Sequence, residues 1–124
     1  MFVRDYMTPN PITISPEDSV RDALKLIDKH SIRRLPVLSG GKIVGLVTNL
    51  DILKASPSPA TSLSIHEINY LYPQIKIKEI MTREVITTSP DTVIEEAAVV
   101  MRENKIGTIL VEKEGKLVGL ITES

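Results

Sequence analysis

Apolar residues recur at the spacing of a half-buried helix in two segments of the chain. In each segment they follow i, i+3, i+4, i+7, which places them on one face of a helix. The stripes are Val20, Ala23, Leu24 and Ile27, and then Ile94, Ala97, Ala98 and Met101. Asp18 or Ser19 is predicted to cap the first helix and Thr92 the second, with Asp22 and Glu95 three residues after Ser19 and Thr92. Two amphipathic helices are therefore expected, each packing one face inward.

Short β-branched runs flank both helices. Residues 12–14 and 86–88 read as strands that stop at Ser-Pro, and residues 35–38 and 108–111 read as strands that follow the helices. The segments 39–42 and 113–116 contain glycine and are predicted to form hairpin turns that lead into strands at 43–48 and 117–122. A further helix should follow Thr48. The order in each half is thus β-α-β-β-α, with the last helix missing from the second half.

The two halves are copies of one unit. When residues 3–50 are laid over 77–124 at a constant offset of 74, 15 of the 48 pairs are identical and no gap is needed. We therefore divide the chain into repeat 1 (residues 1–55), a connector with a short amphipathic helix (56–76) and repeat 2 (77–124). One repeat buries too little surface to be stable alone, so the two repeats are expected to share a core. The predicted fold is α/β (α+β), with two pseudo-twofold-related repeats packed sheet to sheet and two equivalent clefts between them.

Composition and charge argue against several classes of function. The net charge of −1 provides no positive field for a nucleic-acid backbone, so nucleic acid is not expected as a partner. No apolar run approaches the length of a membrane span, and neither a signal peptide nor a cysteine is present, which agrees with a cytoplasmic location. His30 and His66 are isolated, so no metal site is expected. No nucleophile, phosphate loop or carboxylate pair stands out, which argues against an enzyme.

The junction at residues 45–51, Gly-Leu-Val-Thr-Asn-Leu-Asp, is the candidate site. A strand that ends at Thr48 and is followed directly by a helix can present the backbone N–H groups of the helix N-terminus to a phosphate. Asp51 could accept hydrogen bonds from two sugar hydroxyls. The same Thr-x-x-Asp spacing is also a capping box, in which Thr48 only closes its own helix. Both readings remain open. Likewise, Arg33 and Arg34 could bind phosphate as a fork, or could face solvent or pair with Asp28.

These motifs resemble the CBS domain, a regulatory module named after cystathionine β-synthase. The resemblance lies in Met7-Thr-Pro-x-Pro-x-Thr-x-Ser-Pro16, in residues 32–37 (Ile-Arg-Arg-Leu-Pro-Val), in the Gly45–Asp51 junction and in their second copies. It covers nearly the whole chain. The connector, residues 55–65 and 67–70, resembles that of the acetoin-utilisation B proteins.

The resemblance implies adenosyl nucleotides (AMP, ADP, ATP or S-adenosylmethionine) as regulatory ligands, with no cofactor required. Each site would be assembled crosswise from both repeats. One site, which has the complete Thr-x-x-Asp, would use Leu46, Thr48, Asp51, Lys78, Ile86, Ile106, Gly107 and Thr108. The other would use Arg4, Met7, Ile12, Ile32, Arg33, Arg34, Leu120 and Thr122.

Repeat 2 departs from the family pattern because Thr122 is followed by Glu123 and Ser124 and no Asp. The second ribose contact is therefore in doubt. Relatives of the acetoin-utilisation type continue into an ACT domain, so a longer native chain is expected. The resemblance further implies a homodimer. As an alternative to nucleotide sensing, the chain would be a ligand-free structural module that dimerises and supports an attached domain.

Overall fold

The computed structural model describes residues 1–55 and 75–123, and these form a mixed α/β structure as predicted. In chain order the elements are α1 (Val3–Tyr6), β1 (Thr8–Pro9), α2 (Val20–His30), β2 (Arg34–Ser39), β3 (Lys42–Thr48), α3 (Asn49–Lys54), α4 (Ile77–Ile80), β4 (Thr87–Thr88), α5 (Ile94–Asn104), β5 (Thr108–Lys113) and β6 (Lys116–Thr122). The predicted connector helix lies outside the described residues. Within them, α2 and α5 are the longest helices at 11 residues each, and none is long and apolar enough to cross a membrane.

The chain forms two compact units that do not follow sequence order. Unit A comprises Ile12–Ser39 and Val44–Arg83, and therefore carries most of repeat 1. Unit B comprises Met1–Pro11, Gly40–Ile43 and Glu84–Ser124, and carries most of repeat 2. The first eleven residues thus pack with the far end of the chain.

Unit B is built on a four-stranded sheet in the order β1-β6-β5-β4. Strands β5 and β6 are antiparallel, with Thr108 opposite Thr122, and β4 joins parallel to β5. Strand β1 closes the other edge, antiparallel to β6, with Thr8 opposite Leu120. The core of the unit contains Val3, Ala97, Met101, Ile109, Val111 and Ile121.

Unit A has a similar arrangement, but the segments beside its two central strands form single bridges instead of strands. Strands β2 and β3 form a two-stranded sheet. Ile14 forms a single parallel bridge with Val37, and Thr82 forms an antiparallel bridge with Leu46. The strand predicted at 12–14 is therefore reduced to one bridge. The core contains Ile14, Val20, Ala23, Leu35, Val37, Val47, Ile52 and Ile77.

Short helices α1 and α4, which the sequence pattern did not reveal, attach to the two units in the same way. In unit B the Val3 N–H donates to the Thr92 carbonyl at 2.8 Å and the Arg4 N–H to the Pro90 carbonyl at 3.0 Å. In unit A the equivalent bonds run from Ile77 to Asp18 at 2.8 Å and from Lys78 to Pro16 at 3.0 Å. Each bond maps onto its counterpart at the offset of 74, so the internal duplication extends to the hydrogen bonding.

The helix caps differ between the repeats. Ser19 caps α2 as predicted, and its hydroxyl accepts the Asp22 N–H at 3.1 Å. The prediction of Thr92 as the cap of α5 was wrong, because the Thr92 carbonyl is held by Val3 and the helix begins after Val93, which has no side-chain cap bond. Ala98, predicted on the inward face, is exposed in the single chain. The other positions of both stripes are buried or half-buried, as expected.

Both predicted hairpin turns are confirmed. Gly40 and Gly41 have φ of 58° and 81°, and Glu114 and Gly115 have φ of 54° and 80°. Two consecutive left-handed residues define the type I′ turn that fits the twist of a two-stranded hairpin.

Candidate functional site

The Thr48 junction has the geometry of a capping box. The Asp51 N–H donates to Thr48 Oγ1 at 3.2 Å, and the Thr48 N–H donates back to Asp51 Oδ2 at 2.9 Å. The Thr48 hydroxyl lies 3.2 Å from the same Oδ2. Thus the capping interpretation that the sequence left open describes this junction.

The N–H groups at the start of α3 are less available than the sequence suggested. The Asn49 N–H donates to the Arg33 carbonyl at 3.1 Å, and the Asp51 N–H is held by Thr48. Unit B repeats the first of these bonds, since the Glu123 N–H donates to the Gly107 carbonyl at 3.1 Å. A phosphate at this junction would therefore rely on side chains more than on the helix end.

Capping uses only one oxygen of the Asp51 carboxylate. Both bonds from Thr48 reach Oδ2, and Oδ1 takes part in none of the side-chain bonds formed within residues 1–55 and 75–123. A carboxylate has about four acceptor positions. Asp51 is half-buried rather than enclosed, so the cap and a second hydrogen-bonding role are compatible.

Glycine precedes this junction because another segment lies against it. A Cβ on Gly45 would lie 2.8 Å from both Met81 Sδ and the Thr82 carbonyl oxygen. In unit B a Cβ on Gly119 would lie 2.6 Å from Met7 Sδ and 2.9 Å from the Thr8 carbonyl oxygen. The Gly-Leu motif is thus explained by packing of the β1 segment and its counterpart against β6 and β3.

The predicted site residues divide evenly between the units. Unit A contains four residues of the first predicted site (Leu46, Thr48, Asp51, Lys78) and four of the second (Ile12, Ile32, Arg33, Arg34). Unit B contains Ile86, Ile106, Gly107 and Thr108 of the first, and Arg4, Met7, Leu120 and Thr122 of the second. Each unit therefore brings together half of each set.

Within unit A, the residues beside Thr48 have distinct environments. Leu46 is buried and exchanges backbone bonds with Thr82 at 2.8 and 2.9 Å. Ile12 and Ile32 are half-buried against the core, while Arg33 is exposed. No ion pair found in the described parts of the chain involves Arg33 or Arg34, so the suggested pairing with Asp28 is not seen.

Within unit B, the predicted residues lie on the sheet and at its entry. Thr108 and Thr122 face each other at the end of the β5–β6 ladder, and Leu120 lies two pairs further along, opposite Leu110. Ile86 accepts the Leu110 N–H at 3.2 Å, just before β4. Ile106 and Gly107 form the turn between α5 and β5.

Two of the four basic residues predicted to bind ligand, Lys78 and Arg4, each contact an acidic side chain. Lys78 Nζ lies 3.0 Å from Glu17 Oε1, and Arg4 Nη1 bonds to Asp91 Oδ1. The acids occupy equivalent positions at the offset of 74, as do the bases. Sequence reasoning missed Glu17 and Asp91, although the alignment of acid with acid and base with base was a usable signal.

Glu17 contacts a second lysine. Lys76 Nζ lies 3.0 Å from Glu17 Oε2, so each oxygen of this carboxylate has its own ammonium group. Hydrogen bonds from Lys76 and Lys78, with their charges, lower the pKa of Glu17 below its ordinary value. In unit B, Phe2 stands where Lys76 stands in unit A, and the Arg4 guanidinium lies 4.5 Å from the Phe2 ring centre.

No group of three or more His, Cys, Asp or Glu side chains suited to a metal ion occurs among the residues that the structure describes.

Comparison with known proteins places this arrangement in a family. The CBS domain model matches residues 3–58 and 77–124. Among curated proteins, inosine-5'-monophosphate dehydrogenase of Korarchaeum cryptofilum is 37% identical over 118 residues, which are 94% of this chain and 22% of that protein. The chain therefore spans about a fifth of that relative.

Solved structures agree over almost the whole chain. An acetoin utilization protein (AcuB) from Vibrio cholerae superposes with a TM-score of 0.82 at 29% identity, covering 99% of this chain and 84% of that one. A CBS domain pair in complex with 5'-methylthioadenosine and S-adenosyl-L-methionine gives 0.79 at 32% identity, covering 98% and 89%. The protein CBSX2 in complex with AMP gives 0.79 at 28% identity, covering 98% and 90%. Since the family model covers both repeats, the chain belongs to the CBS domain family and is a tandem pair of these regulatory, non-catalytic modules.

Proposed function

We propose that this CBS pair binds adenosyl nucleotides and signals by changing the geometry of its repeats or of a dimer. AMP, ADP, ATP and S-adenosylmethionine are the candidate ligands, and no cofactor is required. The observation that carries the proposal is the similarity, over 98% of the chain, to CBS pairs in complex with 5'-methylthioadenosine and S-adenosyl-L-methionine or with AMP. These ligands share the adenosyl group, which is therefore the part that the site should recognise.

The residues proposed for the first site are those carried over from the family pattern. Thr48 and Asp51 would hold the phosphate and ribose, and the remaining oxygen of Asp51 is an acceptor for the sugar hydroxyls. Lys78 would add positive charge, while the apolar side chains of Ile86 and Ile106 would sandwich adenine. The second site would use Arg4, Arg33, Arg34 and Thr122 with its apolar neighbours, and it lacks an aspartate after Thr122.

A ligand regulates only through its difference in affinity between two states of the protein. Coupling free energies of about 1–3 kcal/mol are typical of such switches. A modest change in repeat or dimer geometry would therefore suffice, and no catalytic step is involved.

A structural module without ligand is the second candidate, and the capping box favours it. If Asp51 only caps α3, its replacement should affect stability and leave binding unchanged. Ser19 and Asp22 provide a matched control, because they form the same capping box at α2, with the Ser19 N–H 3.0 Å from Asp22 Oδ2. Asp22 is not among the proposed ligand residues.

The test compares Asp51→Ala with Asp22→Ala. Each should lose roughly 0.5–2 kcal/mol of stability, since each removes a helix cap. Isothermal titration calorimetry and the ligand-induced rise in Tm should show AMP or S-adenosylmethionine binding to the wild type and to Asp22→Ala, and at least tenfold weaker binding to Asp51→Ala. Equal binding by both variants, or no binding by the wild type at millimolar ligand, would instead support the structural module.

Further features of the proposal concern the whole protein. We propose a homodimer that uses the exposed alanine-bearing face of α5, a cytoplasmic location, and a native chain that continues into an ACT domain. A role in acetoin utilisation rests on similarity to the Vibrio cholerae protein. Native mass spectrometry of freshly purified protein would report the number of subunits and any retained nucleotide together.

A further inference from the structure

The ion pairs around Glu17 point to a mechanism for reading the charge of the ligand. Lys78, a residue of the proposed first site, donates to Glu17 Oε1 while Lys76 donates to Oε2, both at 3.0 Å. The side chains are about half exposed, at 45% for Lys78, 52% for Lys76 and 59% for Glu17. Ion pairs with this exposure are weak and exchange partners readily.

The backbone beneath these side chains is fixed. The Lys78 N–H donates to the Pro16 carbonyl at 3.0 Å, and the Ile77 N–H donates to the Asp18 carbonyl at 2.8 Å. Ile77 is completely buried. Lys78 can therefore leave Glu17 by rotating its long side chain, without disturbing α4.

Lys76 lowers the free-energy cost of moving Lys78 away from Glu17. When Lys78 leaves, the Glu17 carboxylate keeps the Lys76 ammonium on its other oxygen and is not left as an unpaired charge. In unit B, Phe2 occupies the position equivalent to Lys76. Among the described residues, Asp91 therefore has a hydrogen bond from Arg4 and no second basic partner. Arg4 also lies over the Phe2 ring, so its movement would break two contacts.

We propose, on the basis of the function proposed above, that Lys78 is an exchangeable phosphate-binding residue whose resting partner is Glu17. A phosphate on the bound adenosyl ligand takes Lys78 from Glu17, and Lys76 retains the carboxylate. Glu17 thereby sets how strongly the first site prefers a phosphorylated ligand, such as AMP, over adenosine. Arg4 stays on Asp91 and does not provide this discrimination at the second site.

The measured quantity is the ratio of the Kd values of adenosine and AMP, from calorimetry at fixed ionic strength. Lys78→Met should lower the AMP preference roughly tenfold, because a charge-assisted bond to phosphate is lost. Glu17→Gln should raise it about two- to fivefold by removing the competing carboxylate. Glu114→Gln makes the same change in net charge at an exposed position of the β5–β6 turn, at the opposite end of that hairpin from Thr108 and Thr122, and should leave the ratio unchanged.

The wild-type protein offers a second test that does not depend on variants. With isotope-labelled lysine, the NMR signals of the Lys78 ε-methylene should shift on addition of AMP and stay in place with adenosine, while those of Lys76 remain close to their starting positions. An unchanged ratio in Glu17→Gln, an equal rise in Glu114→Gln, or an unchanged Lys78 signal would overturn the proposal while leaving nucleotide binding intact. Failure of both AMP and adenosine to bind the wild type would overturn the proposed function itself.

Discussion

Replacement of Gly45 by alanine should destabilise the protein, because the added Cβ would clash with a backbone atom that cannot move without a loss of stability. The added Cβ would lie 2.8 Å from the Thr82 carbonyl oxygen, which accepts the Leu46 N–H at 2.9 Å. Relieving the clash moves the two segments apart and lengthens the two backbone bonds between Leu46 and Thr82. Met81 Sδ, also 2.8 Å away, belongs to a flexible side chain and can move more easily.

The expected loss follows from these two contributions. Overpacking costs about 1–3 kcal/mol, and alanine recovers roughly 0.5–1 kcal/mol relative to glycine in a strand because the unfolded chain is less free. The net loss should be about 1–2 kcal/mol. Gly119→Ala should cost a similar amount, because Met7 and Thr8 crowd it in the same way.

Urea denaturation followed by circular dichroism would measure these losses as a lower midpoint with an unchanged slope. Gly40→Asn is the control, since nothing lies within 4 Å of a Cβ at Gly40 and asparagine tolerates its φ of 58°. Met81→Ala in the Gly45→Ala background should recover only part of the loss, because the Thr82 carbonyl remains. A Gly45→Ala variant as stable as Gly40→Asn would refute the packing explanation.

Two further predictions concern helix caps. Val93→Ser should stabilise α5 by roughly 0.5–2 kcal/mol, because it adds the side-chain cap that Ser19 provides to α2. Ser19→Val should destabilise α2 by a similar amount. The urea midpoint of each variant measures the change, and a Val93→Ser midpoint below that of the wild type would contradict the prediction. The pKa of Asp22 is lowered, chiefly by the bond from the Ser19 N–H. Because the folded pKa lies below the unfolded value of 3.8, the carboxylate contributes stability above that pH and loses its contribution as the pH falls through the folded pKa. The stability difference between wild type and Asp22→Asn should therefore shrink between about pH 6 and about pH 3, and a difference independent of pH would contradict this.

The sequence predicted those parts of the fold that repeat or that have a strong local pattern. The duplication was found because the two copies align at a constant offset of 74 without a gap. The stripes of α2 and α5 and the glycine-bearing turns were found because residues close together in sequence carry their signals. Helices α1 and α4 were missed because four residues are too few to show a helical period, and their partners lie far away in sequence. Thr92 was misassigned as a cap for a similar reason, since its carbonyl is held by distant Val3.

At the candidate site, the sequence offered the Thr48–Asp51 bonds as one of two interpretations of the junction, but the charges that surround Lys78 were missed. Capping is a local interaction with fixed spacing. In contrast, Glu17 and Lys78 meet only because α4 binds the loop before α2. The matching of Glu17 with Asp91 and of Lys78 with Arg4 at the offset of 74 was the one sequence signal for this contact. Whether the predicted residues of the two units hold a ligand together stays a prediction for the experiments above.

The pairing of Thr8 with Leu120 has a consequence for biosynthesis. Strand β1 has no partner strand until residues 119 and 120 have been translated, so unit B cannot complete its four-stranded sheet before that point. Unit A, by contrast, closes with a segment made much earlier. During translation unit A should therefore acquire structure before unit B, with residues 8 and 9 among the last to gain their partner strand.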